Sequence, residues 1–151
     1  MPKKSTLKRA AEDRREGKSP STQAGEFVRE EIEEIRAGKH GARSAKQAIA
    51  IGLSKARRAG VNLAAPRKGS VSAATRRKAA QDTEKGRSRS RKPVSRTRSR
   101  AVTKALQREG TLAASKASLS RQAHSAARRR TSAQRSASAK KAARTRARRG
   151  H

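Results

Sequence analysis

Three histidines and five clustered glutamates are the side chains whose chemistry could suggest a catalytic or metal site. His40, His124 and His151 lie far apart in the sequence, and none has a second His, Cys or carboxylate at metal-ligand spacing. The glutamates from Glu26 to Glu34 lack the Asp-rich loop and turn glycine of a calcium-binding hand. We therefore predict no metal site, and we interpret the histidines as solvated and the glutamates as the polar face of a helix.

Other routes to enzymatic chemistry are also missing from the sequence. There is no cysteine, which excludes disulfides, thiolate metal sites and cysteine nucleophiles. The segment GKHGAR, residues 38–43, contains glycine and basic residues but lacks the GxxxxGK[ST] spacing of a phosphate-binding loop. The sequence predicts no cofactor and no enzymatic activity.

The basic residues are the strongest functional signal, because they are distributed very unevenly. Residues 1–34 contain eight acidic and eight basic side chains, whereas residues 35–151 contain 34 Lys and Arg against three acids. The net charge of +31 therefore arises beyond Ile35. A cationic segment of this length pairs best with a polyanion, so we predict a nucleic acid as the partner.

The basic tail, residues 64–151, has a net charge of +24, from 27 Lys and Arg and three acids. Duplex DNA presents one phosphate per about 1.7 Å, so this charge matches roughly 12 base pairs. The densest clusters are RSRSRKPVSRTRSR, residues 87–100, and the segment from residue 140 to the end. The predicted nucleic-acid-binding residues are Lys46, Arg57, Arg58, Arg87, Arg89, Arg91, Lys92, Arg96, Arg98, Arg100, Arg128, Arg129, Arg130, Lys140, Lys141, Arg144, Arg146, Arg148 and Arg149.

The Arg-Ser run, residues 87–100, has two interpretations. Its serines are either flexible spacers or phosphorylation sites, and each phosphate would add about −1.5 to −2 charges and weaken binding to a polyanion. The serines concerned are Ser88, Ser90, Ser95 and Ser99.

The composition predicts little packed structure. The chain has one Phe and no Trp or Tyr, and a low content of large aliphatic residues combined with a high net charge is typical of disorder. We predict a mostly disordered chain with one small all-α helical hairpin at about residues 22–63. The predicted divisions are a mixed-charge leader at 1–20, the hairpin at 21–66 and a disordered Arg/Lys/Ala/Ser-rich tail at 67–151.

Helical periodicity and capping signals predict the two hairpin helices. The first is acidic and amphipathic and runs from Ser21 or Thr22 to Gly38, and the second begins after Ser44, with Gln47 completing a capping box. Gly52 lies among small residues on the apolar side of the second helix, where it would allow the first helix to approach closely. The predicted hairpin core is Phe27, Val28, Ile32, Ile35, Ile49, Gly52 and Leu53.

A hairpin of about 40 residues buries too little apolar surface to offset its conformational entropy. We therefore predict that it dimerises or folds upon binding a partner. The N-terminus has no apolar stretch typical of a secretory signal, and no segment approaches the roughly 20 apolar residues of a membrane span. A cytoplasmic location without membrane association is expected.

The segment KQAIAIGLSKARRAG, residues 46–60, resembles a KQAIAIxLSxARxAG box found in small uncharacterised bacterial proteins. The resemblance covers roughly residues 24–66 and implies a bacterial source, but no chemistry. The tail is similar in composition to those of bacterial linker-histone-like proteins, although it is richer in Arg and Ser than in Lys and Pro.

Together these features predict a histone-like, nucleoid-associated protein that binds duplex DNA non-specifically and compacts or bridges it through the tail. The alternative is an RNA-binding or ribosome-associated basic protein that binds structured RNA, because charge alone does not separate the two polymers. A third hypothesis is an adaptor whose hairpin docks a protein partner.

Overall fold

The computed structural model describes residues 1–88 and 95–149, with Arg149 described in its backbone only. These residues form seven α-helices and one 3₁₀ turn, η1, and they contain no extended strand. The prediction of a mostly disordered chain with a single hairpin is therefore wrong. The helices are α1 (Lys4–Arg15), α2 (Pro20–Arg36), α3 (Ala45–Arg58), α4 (Ala73–Arg87), α5 (Arg96–Gln107), α6 (Lys116–Arg128) and α7 (Ser132–Arg149), and η1 spans Leu112–Ala114.

None of the helices described is both long enough and apolar enough to cross a bilayer.

Helices α2 and α3 pack against each other, and their ends follow the capping signals of the sequence. The Ser44 hydroxyl accepts a hydrogen bond from the Gln47 N–H at 3.2 Å, as predicted. The Gln47 side chain accepts instead from the N–H of Arg43, one residue before the cap, at 2.8 Å. Helix α2 begins earlier than expected, after Ser19, because Pro20 suits the first turn of a helix.

The two helices cross at Gly52 of α3 and Val28 of α2. A Cβ atom added to Gly52 would lie 2.6 Å from the Val28 Cα, so any side chain here would collide with backbone. The close packing of α2 on α3 therefore compensates for the low helix propensity of Gly52.

The core consists of two clusters on either side of this crossing. One contains Ile32 and Ile35 with four alanines, and Val28 packs against it. The other contains Phe27, with Leu53 packed against it. Ile49, also predicted to be in the core, is partly exposed and belongs to neither cluster.

Helix α1 packs on α2, although residues 1–20 were predicted to be a mixed-charge leader outside the folded hairpin. Its buried residues are Thr6, Ala10 and Asp13, and Ala10 joins the cluster around Phe27. The backbone N–H of Lys3 also donates to Glu30 at 3.0 Å. The leader folds because small side chains allow a close helix contact that does not need a large apolar face.

Helix α4 packs on α3 through Asp82, which is only 1% exposed. Its carboxylate accepts a hydrogen bond from Ser54 at 2.6 Å and one from Lys78 at 2.9 Å. Burial alone would raise the pKa of Asp82, but the bonds from Ser54 and Lys78 outweigh it and lower the pKa. One of the three acids of the predicted tail thus anchors that segment to the hairpin.

The turn η1 packs beneath the C-terminal end of α2. Ala113 and Ala114 lie in the cluster with Ile35, and the Arg36 guanidinium donates to the carbonyl of Ala114 at 2.9 Å. The loop before α3 meets the same region, since the Gly41 N–H donates to the Leu106 carbonyl at 2.8 Å. The boundary predicted near residue 66 therefore separates segments that share one core.

Serine caps explain why the low-complexity sequence forms separate helices. Ser72, Ser95 and Ser115 precede α4, α5 and α6, and each side chain accepts a backbone N–H three residues later. Alanine between these caps has the highest helix propensity of any residue. The prediction of disorder took neither the serine caps nor the helix propensity of alanine into account. Neither contribution depends on aromatic or branched apolar residues.

Candidate nucleic-acid interface

The acidic side chains are mostly used within the fold. Among the described residues, seven of the eleven acids form ion pairs, and all seven lie in the N-terminal part of the chain or on α4. One partly buried group joins α2 to α3, where Lys55 Nζ lies 2.6 Å from Glu31 and 3.0 Å from Glu34. Burial would lower the pKa of Lys55, but its two carboxylate partners outweigh burial and raise it.

The three helices α5, α6 and α7, termed here the basic helices, have the opposite balance. Residues 95–149 contain 17 Lys and Arg and a single acid, Glu109. Across the described part of this segment, no Lys or Arg forms an ion pair with a carboxylate. This segment thus has a net charge of +16 with no carboxylate partner among its described side chains, compared with a net charge of +12 for residues 1–88.

Helix α5 has no buried residue. Its first five residues include three arginines that the sequence predicted as binding residues, and all three are exposed. They are Arg96, Arg98 and Arg100.

One face of α6 lines a shallow, open depression of about 590 Å³, termed here the groove on α6. The side chains recur at helical spacing, so they line a single stripe along the helix. Arg128 and Arg129 were predicted from the sequence, whereas Arg121 and His124 were not, although the Ser115 cap and the three- and four-residue spacing could have indicated them. The lining residues are Arg121, His124, Ser125, Arg128 and Arg129.

The corner between α6 and α7 is held by arginine side chains. Arg130 donates to the Gln134 carbonyl at 2.7 Å and to the Ser138 hydroxyl. Arg135 donates in return to the Arg130 carbonyl at 2.7 Å. Because carbonyl and hydroxyl groups do not cancel the guanidinium charge, the corner is ordered and still cationic.

Helix α7 is exposed along all its described side chains, residues 132–148. Its six Lys and Arg with described side chains project over roughly 240° of the helix circumference at 100° per residue. An 18-residue helix is about 27 Å long, and duplex DNA presents about 16 phosphates over that distance. These six are Arg135, Lys140, Lys141, Arg144, Arg146 and Arg148, and Arg149 ends the helix.

Comparisons with known proteins identify no relative. No family model, curated protein or solved structure matches this chain. The resemblance at residues 46–60 thus remains a sequence prediction.

The predicted binding residues on α3 and α4 are placed differently from one another. Arg57 is buried, and its guanidinium donates to the carbonyls of Leu63 and Ala64 at 3.4 and 3.1 Å. Burial lowers the pKa of Arg57, although Asp82 opposes this effect. Arg57 therefore braces the segment after α3 and does not belong to the interface.

The remaining predicted binding residues of this region are either exposed at the surface or lie outside the described residues. Lys46 and Arg58 are exposed, and Arg58 is 3.9 Å from Asp82. Arg87 is exposed and donates to the Asn62 side chain at 2.8 Å. The predicted residues Arg89, Arg91 and Lys92 and the candidate phosphorylation site Ser90 lie outside the described residues.

Proposed function

We propose that this protein binds duplex DNA non-specifically and acts as a histone-like, nucleoid-associated protein. The supporting observation is the separation of charge within one fold. Seven of the eleven carboxylates form ion pairs within the part of the fold from α1 to α4, whereas the basic residues of 95–149 have no carboxylate partner among the described side chains.

The mechanism differs from that of an extended polycation. Folded helices hold the cations at fixed spacing, so less conformational entropy is lost when they meet phosphates. Phosphate contacts carry no sequence information, and the chain has no Trp or Tyr and only a buried Phe27 to stack on bases. Binding is therefore electrostatic and independent of base sequence.

Compaction follows from the shape of α7. Because its basic residues project over more than half of the helix circumference, one duplex cannot contact them all. The cations left on the far side are available to a second duplex segment. Bridging of duplexes by α7 and the groove on α6 is the proposed basis of compaction.

Fluorescence anisotropy with two duplexes of equal length and unrelated sequence tests the proposal. The dissociation constants of the full chain should agree within a few-fold for both duplexes and rise steeply with salt. Replacing four α7 cations by glutamine should make the slope of log K against log salt shallower by about 3 to 4, because each phosphate contact contributes about 0.9. The four residues are Lys140, Lys141, Arg144 and Arg148.

A matched control removes the same charge from α1, where Lys4, Lys8, Arg14 and Arg15 are exposed. This variant should retain the wild-type slope, because α1 lies outside the proposed interface. Equal slopes for the α1 and α7 variants would show that net charge alone determines binding. Tighter binding to a structured RNA in competition at 150 to 200 mM salt, on the order of physiological ionic strength, would favour the alternative polymer.

A further inference from the structure

A second cluster of functional groups lies where α2, the loop after it and α3 meet. One oxygen of Glu31, one of Glu34 and one ring nitrogen of His40 all lie within 4.8 Å of one another. The His40 side chain is 15% exposed and that of Glu31 is fully buried, so this histidine is not the solvated one expected from the sequence. The cluster could not be predicted from the spacing in sequence, because its residues come together only when the end of α2 and the loop after it fold.

The hydrogen-bonding pattern leaves acceptor atoms facing one another. Lys55 pairs with the Oε2 atoms of Glu31 and Glu34, at 2.6 and 3.0 Å. Oε1 of Glu31 is buried and receives no hydrogen bond from any described residue. Lys39 is 3.6 Å from Oε1 of Glu34, and its side chain is 56% exposed.

The orientation of His40 points to a cation between these atoms. Its Nδ1 is 3.1 Å from the Gly41 carbonyl, which can only accept, so Nδ1 carries the proton. In the neutral ring, Nε2 then presents a lone pair to Oε1 of Glu31, 3.4 Å away. A backbone carbonyl on the other ring nitrogen is the typical second partner of a metal-ligating histidine.

We propose that Glu31, Glu34 and His40 form a binding site for a divalent transition-metal ion, with Zn²⁺ the best match. Tetrahedral Zn²⁺ with bonds of about 2.0 to 2.2 Å places neighbouring ligand atoms roughly 3.3 to 3.6 Å apart. The Glu31 and His40 atoms already have this separation. Mg²⁺ and Ca²⁺ fit less well, because both prefer sites made of oxygen ligands alone.

The charge of the surroundings favours a cation despite the net charge of the whole chain. Glu30 is 1% exposed, and its Oε2 atom likewise has no hydrogen bond from the described residues. Glu31 and Glu34 therefore face the ammonium groups of Lys55 and the more exposed Lys39, and Glu30 adds a third buried carboxylate on the same helix. Salt screens the exposed cations of the basic helices beyond about 8 Å, whereas these carboxylates act at contact distance.

Metal titration of the full chain, first stripped with a chelator, tests the site. Zn²⁺ competed against a chromophoric chelator should bind at one equivalent, and Co²⁺ should give the intense visible absorption of a four-coordinate complex. His40→Ala and Glu34→Gln should each weaken Zn²⁺ binding at least tenfold. His124→Ala, which removes an exposed histidine on α6, should retain the wild-type affinity.

Circular dichroism of the metal-free variants provides the fold control, and Glu34→Gln keeps the side-chain shape if His40→Ala perturbs the loop. Absence of saturable Zn²⁺ binding by the wild type would overturn the proposal. Equal losses for His40→Ala and His124→Ala would do the same, because they would indicate adventitious histidine binding.

Discussion

Gly52 lies so close to Val28 that a Cβ atom at residue 52 would be 2.6 Å from the Val28 Cα. We expect Gly52→Ala to lower the free energy of unfolding by about 1 to 2 kcal/mol, because overpacking costs about 1 to 3 kcal/mol and the gain in helix propensity returns up to about 1. Urea denaturation followed by circular dichroism measures this change.

Gly25 provides the matched control on the partner helix. It lies inside α2, but a Cβ atom there would meet nothing within 4 Å. Gly25→Ala should therefore raise the free energy of unfolding, by about 0.5 to 1 kcal/mol. Stabilisation by both substitutions would contradict the close packing of α2 on α3.

Ala114 and Leu112 provide a test of whether η1 belongs to the core. Ala114 is fully buried beside Ile35, whereas Leu112 is 81% exposed. Ala114→Leu should destabilise the protein by about 1 to 3 kcal/mol through overpacking. Leu112→Ala should change stability by less than about 0.5 kcal/mol, as an exposed site does. If both substitutions had equal and negligible effects on thermal or urea unfolding, the result would support the disordered tail at residues 67–151 that the composition predicts.

Asp82 should make the packing of α4 on α3 sensitive to acid. Its pKa is lowered in the fold, so its contribution is complete above the ordinary value of about 3.9 and is lost as pH falls through the folded value. Asp82→Asn should cost about 1 to 2 kcal/mol at neutral pH, and this difference should shrink below about pH 4. Unfolding curves over a pH series measure it.

Glu84 is the control for that pH series, because it is an exposed acid on the same helix. Glu84→Gln should change the free energy of unfolding at neutral pH by less than about 0.5 kcal/mol, as an exposed site does. If Asp82→Asn and the wild type lost stability in parallel down to low pH, the ion pair with Lys78 and the bond from Ser54 would not contribute as described.

Truncation after Thr131 should separate stability from binding. Helix α7 buries none of its described side chains, so its removal should change the unfolding free energy by less than about 0.5 kcal/mol. The same truncation removes seven basic residues and should make the salt slope of DNA binding shallower by up to about 6. A large loss of stability would reveal packing of α7 against the rest of the chain.

Part of the fold could be predicted because large apolar residues and caps follow helical spacing. Phe27, Ile32 and Ile35 indicated the buried side of α2, and Ser44 with Gln47 marked the beginning of α3. Such signals come from side chains whose burial is worth about 1.5 to 3 kcal/mol each, which makes them visible in a pattern.

The remaining core could not be predicted, because its contacts use small and polar residues. Ala114, Ala10 and Thr6 bury little area, so they produce no hydrophobic period. Asp82 is buried because Ser54 and Lys78 donate hydrogen bonds to it; Lys78 lies at i,i+4 spacing on the same helix, but Ser54 on α3 cannot be identified from the spacing in sequence. For the candidate interface, the basic residues could be identified from the sequence, but the burial of Arg57 could not.

The exposure of α7 has a consequence for how this protein could diverge. Its described side chains carry no packing constraint, so basic residues can be gained, lost or moved along the helix without disturbing the core. Each change would alter affinity for a polyanion by one small, similar increment. Binding strength in such a segment behaves as a graded quantity set by the number of cations, and selection can adjust it stepwise while the folded part stays constant.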